Sequence, residues 1–213
     1  IYNTDGSEAE ACGNATRCVA SILMCESGED QTIIETLAGL LDAHIADGGL
    51  VSVDMGQAKM DWRDIPLSEA IDSLHLGVGS GPLQDPVGVN MGNPHAVFFV
   101  DDADAVDLIQ HGSVLERHKL FPQHANIGVA TIKGKGFIRL RVWERGVGET
   151  LACGSGACAA MVAASRRSLC GHSASVQLNG GTLHIEWMAD NHVLMTGPVS
   201  TSFSGLVDPA LLD

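Results

Sequence analysis

Glu149-Thr150-Leu151-Ala152-Cys153-Gly154-Ser155 repeats the pattern of Glu8-Ala9-Glu10-Ala11-Cys12-Gly13-Asn14. In each stretch a Glu lies four residues before the Cys of an Ala-Cys-Gly, and a run of small residues follows. The cysteines are 141 residues apart, far beyond the period of a solenoid repeat. The spacing points to a duplicated half-domain that brings two matching thiols to one central site. Two thiols facing each other across a small pocket suit the movement of a proton from one face of a carbon to the other.

Outward from the two motifs, each is followed by a helix: Asn14 to about Cys25, ending near Ser27-Gly28, and about Ser155 to Leu169, stopped by Gly171. After the first helix, strands are expected at Thr32–Ala38, Leu40–Ala46 and Leu50–Asp54. Gly56–Pro86 reads as a connection between halves, with a weak helical pattern at Ser68–Leu74. Strands at Val87–Met91 and Ala96–Val100, a helix over Ala103–Lys119 and a hairpin, Ile127–Lys133 with Phe137–Glu144, lead to the second motif. A meander of Ala174–Leu178, Thr182–Trp187 and His192–Thr196 closes the pattern. The fold class is therefore α+β: two pseudo-symmetric lobes, each a mostly antiparallel sheet wrapped round a central helix, with the site between them. The first lobe is assigned to residues 1–57 with 199–213, the second to 58–198.

The net charge of −14 excludes nucleic acid and anionic membranes as partners, since both need a basic surface. The run Cys18–Cys25 is too short to span a bilayer, and no signal peptide is visible, so a cytoplasmic location is expected. Only 4% of residues are aromatic, so the core must be aliphatic. Six cysteines in a chain of this size do not suggest a disulfide framework. Their spacing, with no matching His, does not suit zinc, and no metal is expected. Cys18, Cys25, Cys158 and Cys170 read as small buried hydrophobes.

A cysteine just ahead of a helix has the N-terminal dipole and open N–H groups beside it, which favour thiolate. The same N–H groups, on Gly13-Asn14 and Gly154-Ser155, can hold a carboxylate. One thiolate would take an α-proton while the opposite thiol delivers another.

Asn3-Thr4-Asp5-Gly6-Ser7-Glu8 with Cys12-Gly13-Asn14-Ala15-Thr16-Arg17-Cys18 resembles the first signature of the diaminopimelate epimerases. Gly92-Asn93-Pro94-His95, Asn126-Ile127-Gly128 and Trp143 through Cys158 resemble the rest. Proline racemases share the plan but carry His where this chain has Asn14. The resemblance implies a cofactor-independent enzyme that interconverts LL- and meso-diaminopimelate, with Cys12 and Cys153 as the acid/base pair. Gly13, Asn14, Gly154 and Ser155 would anchor the reacting carboxylate. Asn3, Asn93, Asn126, Glu144 and Arg145 would read the distal, unreacting amino-acid end, and His95 would either brace the site or bond within its turn. The implied partner is a small molecule, with a homodimer left open.

Members of that family begin with about sixty further residues, whose absence would leave sheet edges and apolar helix surface uncovered. The expectation is that these 213 residues alone bind substrate poorly and turn over slowly or not at all. Two other readings stay open: a racemase of another amino acid, such as histidine, and a non-catalytic amino-acid-binding remnant. The Asn126, Glu144 and Arg145 set weighs against the first, and the retention of both cysteines against the second. Lys59, Lys119, Lys133 and Lys135 sit in no motif that suggests a pyridoxal enzyme.

Overall fold

The computed structural model describes residues 13–36, 39–208 and 210. Helix α1 (Gly13–Ser27) opens the described chain and is followed by β1 (Gln31–Thr36), β2 (Gly39–Ala46) and β3 (Leu50–Gln57). A connector holds the short pair β4 (Gly79–Ser80) and β5 (Leu83–Gln84) and leads to β6 (Val87–Asn90) and β7 (Pro94–Phe99). Next come α2 (Leu108–Glu116), β8 (Asn126–Ile132), β9 (Phe137–Glu144) and β10 (Gly148–Thr150). Helix α3 (Gly154–Arg166) precedes β11 (Ser173–Leu178), β12 (Gly181–Trp187) and β13 (His192–Gly197).

Among the described residues, eleven strands form one sheet in the order β1-β2-β3-β13-β12-β11-β9-β8-β7-β6, with β10 paired to β9, while β4 and β5 pair by themselves. Of the described pairings only β11 with β9 and β7 with β8 run parallel. The architecture is thus the expected mostly antiparallel α+β fold. The strands after α1 join those after α3 by pairing, because β3 bonds to β13 from Val51–Gly197 to Gln57–His192, with a register shift between His192 and Leu194.

Alternation explains the inner face: in β9, Ile138, Leu140 and Val142 are buried while Arg139 and Arg141 point the other way. That face curls round α3, whose residues 156–164 are all buried. The helix touches β6, β7, β8, β9, β11, β12 and β13. That stretch, made of Gly, Ala, Cys, Met and Val, has no polar face to keep wet, and its small side chains let strands approach from every side. Among the described residues, helix α1 is covered on one side only. Its Ala20 and Met24 pack with Leu41, Ala43, Val51 and Val53, and Val199 closes against the same cluster. Its Val19, Ile22 and Leu23 are exposed. A third core, with Ile65, Leu76, Leu83, Phe98, Leu108 and Leu115, packs the connector and α2 together.

Two expected helices change. Ser68–Leu74 is not helical, because distant partners already use its polar groups. Ser68 N–H donates to Leu120 O, Ser73 Oγ to Met60 O, and the Arg167 guanidinium donates twice to Leu74 O. The helix expected over Ala103–Lys119 is reduced to a 3-10 turn at Ala103–Ala105 and α2. Arg141 Nη1 donates to Ala103 O and Val106 O at 2.9 and 2.8 Å, breaking the ladder there. Asp107 then caps a new start through Gln110 N–H at 3.0 Å.

Candidate active site

Cys153 is the N-cap of α3, with extended backbone (φ −122°, ψ 104°) and a carbonyl that accepts the first helical bond from Ala157 N–H. Its thiol is buried, with Sγ 3.6 Å from Ser155 Oγ. Burial, together with the charge of nearby Glu144, pushes the thiol pKa up to about 12; the Ser155 hydroxyl and Gly156 N–H oppose this only in part. The helix dipole alone would favour thiolate, but at Cys153 desolvation outweighs it and favours the protonated thiol. Cys158, one turn further along α3, is also buried, and its pKa is raised chiefly by burial. Cys170 is half-buried, but Cys18 and Cys25 are exposed on α1. The expectation that these two are buried fails because, among the described residues, α1 is covered on one side only.

The two helix starts meet. Asn14 Nδ2 donates to Ala152 O at 3.4 Å, joining the beginning of α1 to the residue before Cys153. Met195 of β13 lies against both Gly13 and Gly154. A Cβ at Gly154 would be 3.0 Å from Met195 Sδ, and one at Gly13 would be 2.9 Å from Met55 Sδ and would also strike Met195 Cε. Glycine at both positions is what lets the backbones close on this methionine. Cys12 and Asn3 lie outside the described residues.

His95, on β7, is buried and gathers the remaining residues. Its Nε2 is 2.8 Å from Asn93 Oδ1, 3.1 Å from Ser155 Oγ and 3.5 Å from Asn126 Nδ2. Burial, helped by the Arg145 charge, lowers the imidazole pKa to about 3, so the ring is neutral; with the proton on Nε2 it donates to Asn93 Oδ1, and with the proton on Nδ1 its Nε2 accepts from Ser155 Oγ and Asn126 Nδ2. Asn126 is oriented from its other end, where Oδ1 accepts Arg145 N–H at 2.8 Å. The exposed Arg145 side chain donates to Gln123 O at 2.9 Å. Glu144 accepts from Thr150 Oγ1, and its carboxylate faces the Cys153 thiol closely enough to raise its pKa. Asn93, His95, Asn126, Glu144, Arg145, Cys153, Gly154 and Ser155 thus form one connected cluster, with Gly13 and Asn14 joined to it through Met195 and Ala152.

Sequence reasoning missed several supports. Glu149, the Glu four before Cys153, forms a bidentate pair with Arg141 at 2.8 and 2.9 Å. The Arg141 charge and hydrogen bonds hold its carboxyl below the usual range, so its place in the repeat is architectural. Met195 and the buried Glu116 were also missed, since neither stands near a motif in the chain. An Arg two residues before Trp143 and a Glu four before Cys153 were a legible charge pair across the turn. Among the described residues no group of three or more His, Cys, Asp or Glu is placed to hold a metal ion, and no helix is long and apolar enough to cross a membrane. Surface depressions of about 410 and 400 Å³ lie elsewhere, around His172 and Trp187 and around Ile71 and His118.

Residues 1–61 and 87–202 match the family model described as diaminopimelate epimerase. A diaminopimelate epimerase of Rhodospirillum centenum is 58% identical over 212 residues, covering 100% of this chain and 73% of the relative. A putative phenazine biosynthesis PhzC/PhzF protein from Clostridium difficile superposes with a TM-score of 0.67 at 16% identity, over 97% of this chain and 76% of that one. A probable proline racemase from Agrobacterium radiobacter K84 gives 0.62 at 19% identity, over 97% and 71%. At such identities the two structures speak for the fold alone. The sequence matches, together with the paired helix starts, establish that the chain belongs to the diaminopimelate epimerase family.

Proposed function

We propose that this protein inverts one α-carbon of diaminopimelate, LL to meso, by passing protons between Cys12 and Cys153. The reaction would supply a lysine and peptidoglycan precursor. The observation that carries this reading is the convergence of Gly13 and Gly154 on Met195 beside a buried, neutral Cys153. The substrate α-carboxylate would accept hydrogen bonds from the open N–H groups at Gly13-Asn14 and Gly154-Ser155, two helix N-termini that also stabilise developing negative charge. The Cys12 thiolate takes the α-proton; the C–H electron pair stays on carbon, delocalised into the carboxylate. Carbon then takes the Cys153 proton on its opposite face, leaving Cys12 as thiol and Cys153 as thiolate. The step balances without an oxidant or a cofactor.

Asn93, Asn126, Glu144 and Arg145, with Asn3, would hold the distal amino and carboxylate groups, because a zwitterion needs an anion, a cation and orienting amides. His95, as a neutral ring beside Asn93, would brace that set. The lobes are read as 1–57 with 199–213 and 58–198, opening and closing over substrate. A cytoplasmic location and, as an open option, a homodimer go with this role.

The test is solvent deuterium uptake at the α-carbon of LL- and meso-diaminopimelate under reductant. It compares the protein with its Cys12→Ala and Cys153→Ala variants. Cysteine-dependent exchange is expected. A folded protein that shows none overturns the assignment.

A further inference from the structure

Glu116, the last residue of α2, is 3% exposed, and burying a carboxylate is costly unless its oxygens are used. Both are used, on the same short stretch. Oε2 accepts the Trp143 indole N–H at 2.7 Å and Oε1 accepts Gly146 N–H at 3.0 Å, with His124 Nδ1 3.7 Å from Oε1. Trp143 and Gly146 bracket Glu144 and Arg145. One turn earlier on α2, Gly112 lies flat against the same indole, where a Cβ would come within 2.9 Å of Trp143 Cγ. Residues i and i+4 of a helix share a face, so Gly112 makes room for the ring and Glu116 fixes its edge. The hairpin turn is thus tied to α2 as well as to Asn126 and Gln123.

We infer that Glu116 is a positioning residue for substrate selection, holding backbone 143–146 so that Glu144 and Arg145 meet the unreacting amino-acid end of the substrate. This rests on the function proposed above. Two converging N–H donors explain the need for a carboxylate. A glutamine of the same shape offers one oxygen, and its amide nitrogen would face the other donor, leaving a buried N–H unsatisfied.

The test is Glu116→Gln in the protein with Trp62→Phe and Trp187→Phe, which leaves Trp143 as the only indole. Affinities for meso-diaminopimelate and for 2-aminopimelate, which lacks the distal amino group, are measured by titrating Trp143 fluorescence. The emission of the free protein is recorded as well. Expected are a red-shifted Trp143 emission in Glu116→Gln and a roughly tenfold loss of preference for diaminopimelate over 2-aminopimelate. An unchanged preference overturns the inference, including the case in which both affinities or the melting temperature fall together, since that marks mere structural support. Wild-type deuterium exchange, read in parallel, separates the two ideas. If wild type exchanges and Glu116→Gln keeps its preference, only this inference fails; if wild type neither binds nor exchanges diaminopimelate, the functional proposal fails and takes this one with it.

Discussion

Gly13 and Gly154, far apart in the chain, rest against the same side chain, Met195, so one methionine sets how closely the two helix starts approach. A methyl group added at Gly154 meets the mobile end of Met195 and needs it to yield a few tenths of an ångström, whereas one at Gly13 must displace the ends of both Met195 and Met55. Flexible methionine ends can move, so Gly13→Ala and Gly154→Ala should both fold, losing about 1 kcal/mol at Gly154 and up to about 3 kcal/mol at Gly13. Deuterium exchange at the substrate α-carbon should fall about a hundredfold, because misplacement of the thiols by a fraction of an ångström disturbs the reacting geometry. Melting curves and exchange rates on the same samples check this; a folded variant that exchanges at the wild-type rate would refute it.

Cysteine reactivity should run against the motif. With iodoacetamide near neutral pH and no substrate, mass spectrometry should find Cys18 and Cys25 modified well before Cys153 and Cys158, since the first two are exposed and the latter are buried thiols. Early labelling of Cys153 would show that it is open and ionised.

The same burial gives an alkaline signature. The Cys153 pKa is raised from 9.0 to about 12 on folding, so its contribution to stability is complete below pH 9.0 and is lost as pH rises toward 12. Urea-unfolding free energies across that window should fall with pH less steeply in Cys153→Ala than in wild type. Identical slopes would count against the burial argument.

His95 shows the mirrored behaviour in acid. Its pKa drops from 6.5 to about 3, so the neutral ring contributes stability that is full above pH 6.5 and declines as pH falls toward 3. Stability of wild type should lose up to one extra proton's worth of slope across that range relative to His95→Gln, about 1.4 kcal/mol per pH unit at most. Ring NMR that found His95 protonated at pH 5 would end this account.

Arg141 and Glu149 hold the turn that precedes Cys153, with side chains 15% and 22% exposed. Glu149→Gln should cost about 1–3 kcal/mol, by leaving a half-buried guanidinium with a weaker partner. Because Arg141 depresses the Glu149 pKa, the pair's contribution is present above the ordinary carboxylate range and fades as pH falls through it. A Glu149→Gln protein as stable as wild type at pH 7 would contradict this.

The strands and both principal helices were legible because local periodicity coincides with burial: β9 alternates, and α3 carries no bulky polar residue from Gly156 to Ala164. The site cluster was legible through its motifs, and His95, Asn93, Asn126 and Ser155 do share one hydrogen-bonded patch. What sequence did not reveal depends on distant partners. Arg141 ends a helix 35 residues away by taking the Val106 carbonyl, and Arg167 draws Leu74 out of a helical turn. The upward shift at Cys153 has a related origin: the dipole is visible in a motif, whereas burial is decided by strands that arrive later in the chain.

The ladder between β3 and β13 has a mechanical consequence. Ten backbone strands run in series across it, so the joint between the helix starts at Gly13 and Gly154 would behave as a leaf spring and not as a tether. Any separation of those two starts would be stored as added twist in that ladder or concentrated at its flaw, the register shift between His192 and Leu194. Asp54 braces that flaw by accepting from His192 Nδ1 at 2.8 Å. The stiffness of this one seam would then govern how fast the pocket admits and releases its ligand.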